Sequence, residues 1–132
     1  MKTGLSILLI DDDKEMTDEV SEILVDNGYR VTVANDGLHG DALLSSDSFN
    51  VVMLDLKMPG LDGISILKRL KERKSDARVI IVTARPLGGD LLHGAGALTD
   101  EDHEMLKKAF GVIIKPYDIE AMLKMVREAM EA

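Results

Sequence analysis

Five short apolar runs are spaced along the chain, and between them apolar residues recur with a helical period. Leu5 to Ile10 is continuous and stops at Asp11-Asp12-Asp13; Val51 to Leu54 stops at Asp55 and runs on into Pro59-Gly60 and Asp62-Gly63. Apolar runs bounded by turn residues predict strands buried on both faces. Arg30 to Ala34, Arg78 to Thr83 and Gly111 to Ile114 complete the strand set. Met16, Val20, Ile23 and Leu24 mark one face of a first helix, which Asp12 and Glu15 open as a capping box and Gly28 closes as a left-handed cap. Asn35-Asp36-Gly37 turns into a shorter helix through Leu44, with Ala42 and Leu43 inward. Ile64, Leu67 and Leu70 mark a third helix, whose Lys68 to Lys74 run reads as a solvated face. Thr99, with Asp102 at the fourth box position, opens a fourth. Ile119, Met122, Leu123, Val126 and Met130 define the last.

Strands and helices alternating in this way predict an α/β fold, a five-stranded parallel sheet with helices on both faces. Right-handed crossovers leave few topologies, of which 2-1-3-4-5 fits best. That order makes the ends of the first and third strands neighbours, so Asp11 and Asp12 face Asp55 where ligands of such sheets bind.

Composition narrows the class. With 132 residues, 45% hydrophobic and 30% charged, the chain reads as one globular domain spanning 1–132. A formal charge of −8 disfavours passive binding to nucleic acid or an anionic membrane. Cysteine is absent, which excludes thiol chemistry. The start is too abruptly charged for a signal peptide and no run could span a bilayer, so a cytoplasmic protein is expected.

Converging carboxylates repel one another unless a cation joins them. Oxygen ligands of this kind suit Mg²⁺, and Lys115, ending the fifth strand, would bring three aspartates and a divalent ion to neutrality. Such a site can accept a phosphoryl group, its oxygens neutralised while a carboxylate attacks in line. Thr83, ending the fourth strand, offers a hydroxyl to one of those oxygens.

Four segments together resemble the receiver domain of two-component response regulators: Ile7 to Asp13, Met53 to Gly63, Val82-Thr83-Ala84 and Ile114-Lys115-Pro116. Each is weak alone, but they end four different predicted strands in the right order. The resemblance, which covers essentially the whole chain, implies the flavodoxin-like receiver fold. It implies Asp55 as phosphoacceptor, Asp11 and Asp12 as the acidic Mg²⁺ pocket and the backbone carbonyl of Lys57 as a further metal ligand. It also implies Thr83 as switch hydroxyl, Lys115 as partner of the phosphoryl group, and a cis peptide before Pro116. The phosphoryl donor would be a histidine kinase or phosphotransfer protein, since no histidine here sits at a motif position. No effector domain is expected after the last helix, and output is expected through the face of the fourth helix, fifth strand and fifth helix.

Two departures stand out. Val112 occupies the place, three before the lysine, where the family usually has an aromatic switch residue, which predicts muted output or another coupling residue. The connection from Ala84 to Leu98 is fifteen residues long and glycine-rich, against about 2–6 for an ordinary βα loop, and suits a lid or a partner-specific surface. Lys57 and Arg85, two past the phosphoacceptor and two past the switch threonine, are expected to screen an acyl phosphate from water.

Blander roles suit other residues. Asp13 reads as a helix-start residue, and Asp62 and Gly63 as turn chemistry. Gly94-Ala95-Gly96 lacks the residues of a phosphate loop. His39, His93 and His103 read as surface residues without metal spacing. Met122 and Met130 belong to the apolar stripe, while Met125 is the better surface candidate. Three competing functions remain. A Mg²⁺-dependent phosphohydrolase working through an aspartyl phosphate would want an acid where Lys57 stands. A flavin or nucleotide module would not place three acids in its first loop. A degenerate receiver used only for docking has no need of the intact acids, Thr83 and Lys115.

Overall fold

The structure, a computed structural model, describes residues 5–56, 63–84 and 100–132. Its strands are β1 (Ser6–Ile10), β2 (Arg30–Ala34), β3 (Val51–Asp55), β4 (Arg78–Thr83) and β5 (Gly111–Ile114). They form one parallel sheet in the order β2-β1-β3-β4-β5, the order expected from the sequence. Helices α1 (Lys14–Asp26), α2 (Gly37–Ser46), α3 (Gly63–Glu72), α4 (Asp100–Lys107) and α5 (Ile119–Glu131) connect and cover it.

The sheet separates two cores, because successive side chains of a strand point to opposite faces. Ile7, Leu9, Val51, Met53, Ile80, Val82 and Ile113 pack with Val20 and Leu24 of α1 and with Met122, Val126 and Ala129 of α5. Leu8, Ile10, Val52, Leu54, Val79 and Ile81 pack on the other side with Ile66, Leu67 and Leu70 of α3 and with Met105 and Leu106 of α4. The central strand β3 is buried throughout, which is why its sequence shows no alternation.

Local chemistry fixes the helix ends. Asp13, Asp36 and Asp118 are N-caps whose side chains accept from the backbone N–H of Met16, His39 and Ala121, each cap contributing about 1 kcal/mol. The first of these corrects the expected box on Asp12 and Glu15: Asp13 takes the cap and leaves Asp12 free to face the end of the sheet. At the C-terminus of α1, Gly28 adopts φ +94° while its N–H donates to Val25 O and that of Tyr29 to Leu24 O. This is the closing turn expected at Gly28. The same bonds close α3, from Lys74 N to Lys71 O and Ser75 N to Leu70 O, with Lys74 at φ 54°.

Three burial assignments differ from expectation. Ala42 is exposed; α2 turns Gly37, Gly40, Leu43 and Leu44 toward the sheet, and two residues beyond Gly40 the helix has rotated by about 200°. Gly40 lets the helix sit close on β1, since a Cβ there would meet Ile10 Cδ1 at 2.7 Å. Ile119, first residue of α5, is 37% exposed rather than part of the buried stripe. Met125 is half-buried against the α1–α5 core, not a surface residue, because it fills the notch left by Gly111. Met122 is fully buried and Met130 half-buried in that core, and His39 is exposed, as read from the sequence. The start of the fourth helix at Thr99, residues 85–98 with Arg85 and His93, and Lys57, Asp62 and the side chains of Asp102 and His103 lie outside the described residues. Among the described residues no helix is long and apolar enough to cross a membrane.

Candidate functional site

Strand register brings the acids together. Ile10 pairs with Leu54, and Asp11 extends β1 by one residue, its N–H donating to Ala34 O at 3.1 Å. Asp11 is thereby level with Asp55, the last residue of β3. Both share the strand parity of the α1–α5 core, as does Lys115, which follows Ile114 and whose N–H donates to Thr83 O at 2.8 Å. Thr83 has the opposite parity, that of the α3–α4 core.

The three adjacent aspartates divide the work at the end of β1. Asp11 is 1% exposed, Asp12 is exposed, and Asp13 caps α1. Carboxylate oxygens of Asp11, Asp12 and Asp55 all lie within 4.8 Å of one another. Lys115 spans the sheet end from β5: its Nζ is 2.9 Å from Asp11 Oδ2 and 3.4 Å from Asp55 Oδ2. Burial depresses the pKa of this ammonium, but Asp11 first and Asp55 second more than offset it, so the net shift is upward. Asp11 is held by further bonds. Its Oδ1 accepts from Asp13 N at 3.0 Å, and its backbone carbonyl accepts from Asn35 Nδ2 at 2.9 Å. Asn35 Nδ2 also donates to Thr17 Oγ1 at 3.0 Å, tying the loop after β2 to α1.

Asp55 is 5% exposed and Thr83 likewise, the two ending neighbouring strands with Asp55 opposite Val82. Gly63 closes the base: a Cβ there would lie 2.5 Å from Asp55 O and 2.7 Å from Leu56 Cα, so α3 can start this close only at a glycine. The peptide between Lys115 and Pro116 is cis.

Asp11, Asp12, Asp55 and Lys115 therefore meet at the carboxyl end of the sheet, Thr83 ends the neighbouring strand β4, and Lys57 lies outside the described residues. Two residues near them carried no signal in the sequence reading. Asn35 is one; its place directly after a strand gave only a turn. The other is Tyr117, two residues past Lys115, half-buried in the α1–α5 core. Burial, then the charges of Asp11, Asp55 and Asp13, push its phenol pKa well above the ordinary range.

A divalent cation fits this donor set. Hard carboxylate oxygens converge, and Asp11 Oδ2 is buried with the Lys115 ammonium 2.9 Å away. Mg²⁺ commonly binds through one or two carboxylates and keeps several waters, which the exposed side of the cluster at Asp12 permits.

Comparison with known proteins agrees with the geometry. The family model described as response regulator receiver domain matches residues 7–127. The DNA-binding dual master transcriptional regulator RpaA of Synechocystis sp. is 37% identical over 123 residues, covering 92% of this chain and 47% of RpaA. The chain thus spans about half the length of the curated relatives it matches. Among solved structures, the Francisella response regulator 1452 receiver domain is 29% identical with a TM-score of 0.79, covering 97% of this chain and 98% of that one. The response regulator protein TrrA of Thermotoga maritima, in complex with Mg(2+)-BeF, has the same fold at a TM-score of 0.77 and 22% identity, covering 94% and 97%.

Proposed function

Because the chain belongs to the response regulator receiver domain family, we propose that it is a phosphorylatable switch whose acceptor is Asp55. The observation that carries this reading is the Lys115 ammonium set between Asp11 and Asp55, with Asp12 completing the acidic cluster. An Asp55 oxygen forms the new P–O bond as the P–N bond of a partner's phosphohistidine breaks and the imidazole leaves. Lys115 then pairs with a phosphoryl oxygen, and the Thr83 hydroxyl binds another. Asp11 and Asp12, with Asp55 and the Lys57 carbonyl, would hold Mg²⁺. When bound, that ion neutralises charge accumulating on the phosphoryl oxygens. TrrA in its complex with Mg(2+)-BeF is consistent with such a pocket in this fold.

The donor is a histidine kinase or phosphotransfer protein, and the setting is cytoplasmic. For the output surface we favour α4, β5 and α5. β5 is an edge strand, and Phe110, Val112, Ile114 and Ile119 along this side are exposed large hydrophobics. With Val112 in place of an aromatic, movement of a ring beside Thr83 cannot transmit the signal from that position.

Incubation with acetyl phosphate and Mg²⁺, followed by intact mass, tests the reading. One added phosphoryl group is expected on the wild type and none on Asp55→Asn. Equal labelling of both would overturn it. A docking-only receiver would take no label at all, and a phosphohydrolase would turn over external phosphoesters catalytically.

A further inference from the structure

Among the described residues, two buried side-chain polar atoms are short of hydrogen-bond partners: Asp11 Oδ2, which has only the Lys115 ammonium at 2.9 Å, and Tyr117 Oη, which has none. They are complementary. One is an acceptor at the base of the acidic cluster, the other a hydroxyl able to donate. Both belong to the side of the sheet covered by α1 and α5, and Tyr117 sits only two residues past Lys115. Leaving such atoms unpaired is costly, so a pair of opposite type near one site calls for an explanation.

We propose that Tyr117 is a positioning residue for Asp11, its hydroxyl supplying, directly or through one water, the donor that Asp11 Oδ2 lacks once Lys115 turns to a phosphoryl group or cation binding redistributes its contacts. This rests on the reading of Asp11 as a cation ligand. Ligating carboxylates need outer partners that fix their orientation, and Asp11 Oδ1 already has one in the Asp13 N–H. Oδ2 has only the ammonium, which the proposed phosphoryl chemistry draws away. Burial, and then the negative field of Asp11, Asp55 and Asp13, favour the protonated phenol, so the hydroxyl stays a donor at neutral pH. Phenylalanine would fill the same space in the core without that donor.

The chain has two tyrosines, Tyr29 and Tyr117, and no tryptophan, so a single replacement isolates the signal of either ring. Titration with Mg²⁺ alone, followed by calorimetry, should give Tyr117→Phe a Kd about tenfold weaker than wild type. Tyr29→Phe should match wild type. In Tyr29→Phe protein, whose tyrosine absorbance comes from Tyr117 alone, Mg²⁺ should produce a tyrosine difference spectrum. Unchanged affinity in Tyr117→Phe, or the lack of that difference spectrum in a protein that binds Mg²⁺, overturns the role of Tyr117 and leaves the proposed function standing. A wild type that binds no Mg²⁺ sinks both. The spectrum is read with Tyr117 in place, so the test survives a Tyr117→Phe protein that does not fold.

Discussion

Gly63 stands directly against the backbone of Asp55, with room for a hydrogen and none for a methyl group. The helix that supports the third strand therefore begins within touching distance of the residue we assign as phosphoacceptor. Gly63→Ala must push α3 or the end of β3 aside, at a cost of about 1–3 kcal/mol. Urea unfolding should show that loss, and acetyl phosphate labelling of Asp55 should slow with it.

The crowding of acids gives a second prediction. Asp11, Asp12 and Asp55 share one ammonium, so one carboxylate charge is in excess even if Asp12 is discounted as exposed. Asp55→Asn removes a like charge and should raise stability without Mg²⁺ by about 1 kcal/mol, the scale of one pKa unit. Mg²⁺ should raise the Tm of wild type more than that of Asp55→Asn. Equal shifts would show that Asp55 is no part of the cation site.

Alkaline pH separates Lys115 from other lysines. Its pKa is raised in the folded chain above the ordinary 10.5, so the folded state holds the proton more tightly than the unfolded one. The stabilisation is fully present below 10.5 and is lost as pH rises through the folded value. The Tm gap between wild type and Lys115→Met should therefore stay constant from neutral pH to about 10 and narrow above it. A gap that closes near neutral pH would contradict the ion pair. Tyr117, raised above 10.0, behaves alike: phenolate absorbance in Tyr29→Phe should develop only above the ordinary tyrosine range.

Lys74 offers a gain in stability away from the site. It takes the left-handed place in the closing turn of α3 that Gly28 takes in α1. Lys74→Gly should stabilise by about 0.5–1 kcal/mol, the relief of a strained side chain less the entropy of glycine in the unfolded chain. Denaturant midpoints read this directly, and a loss would mean that the lysine side chain makes compensating contacts.

Much of this architecture was legible in advance because the three central strands, β1, β3 and β4, are almost wholly buried and end abruptly. Val51 to Leu54 followed by Asp55 can hardly be read another way, and the same holds for Arg78 to Thr83. The sequence order of such ends predicts which acids meet, and the register bears this out for Asp11 and Asp55. What sequence could not reveal depends on partners distant in the chain. Met125 looked exposed because its notch belongs to Gly111, fourteen residues earlier. Three consecutive aspartates share composition, and only backbone geometry made Asp13 the cap rather than Asp12. Tyr117 gave no signal because an unpaired hydroxyl is a property of the folded interior.

Strand parity roots Lys115 and Asp55 in one hydrophobic half of the molecule and Thr83 in the other. A small anion gripped by all three would act as a rivet through the end of the sheet, binding layers that otherwise meet only across its strands. Tension applied at that rivet is shared by both sides, so a signal written on one surface has a mechanical route to the opposite one without any ring having to swing.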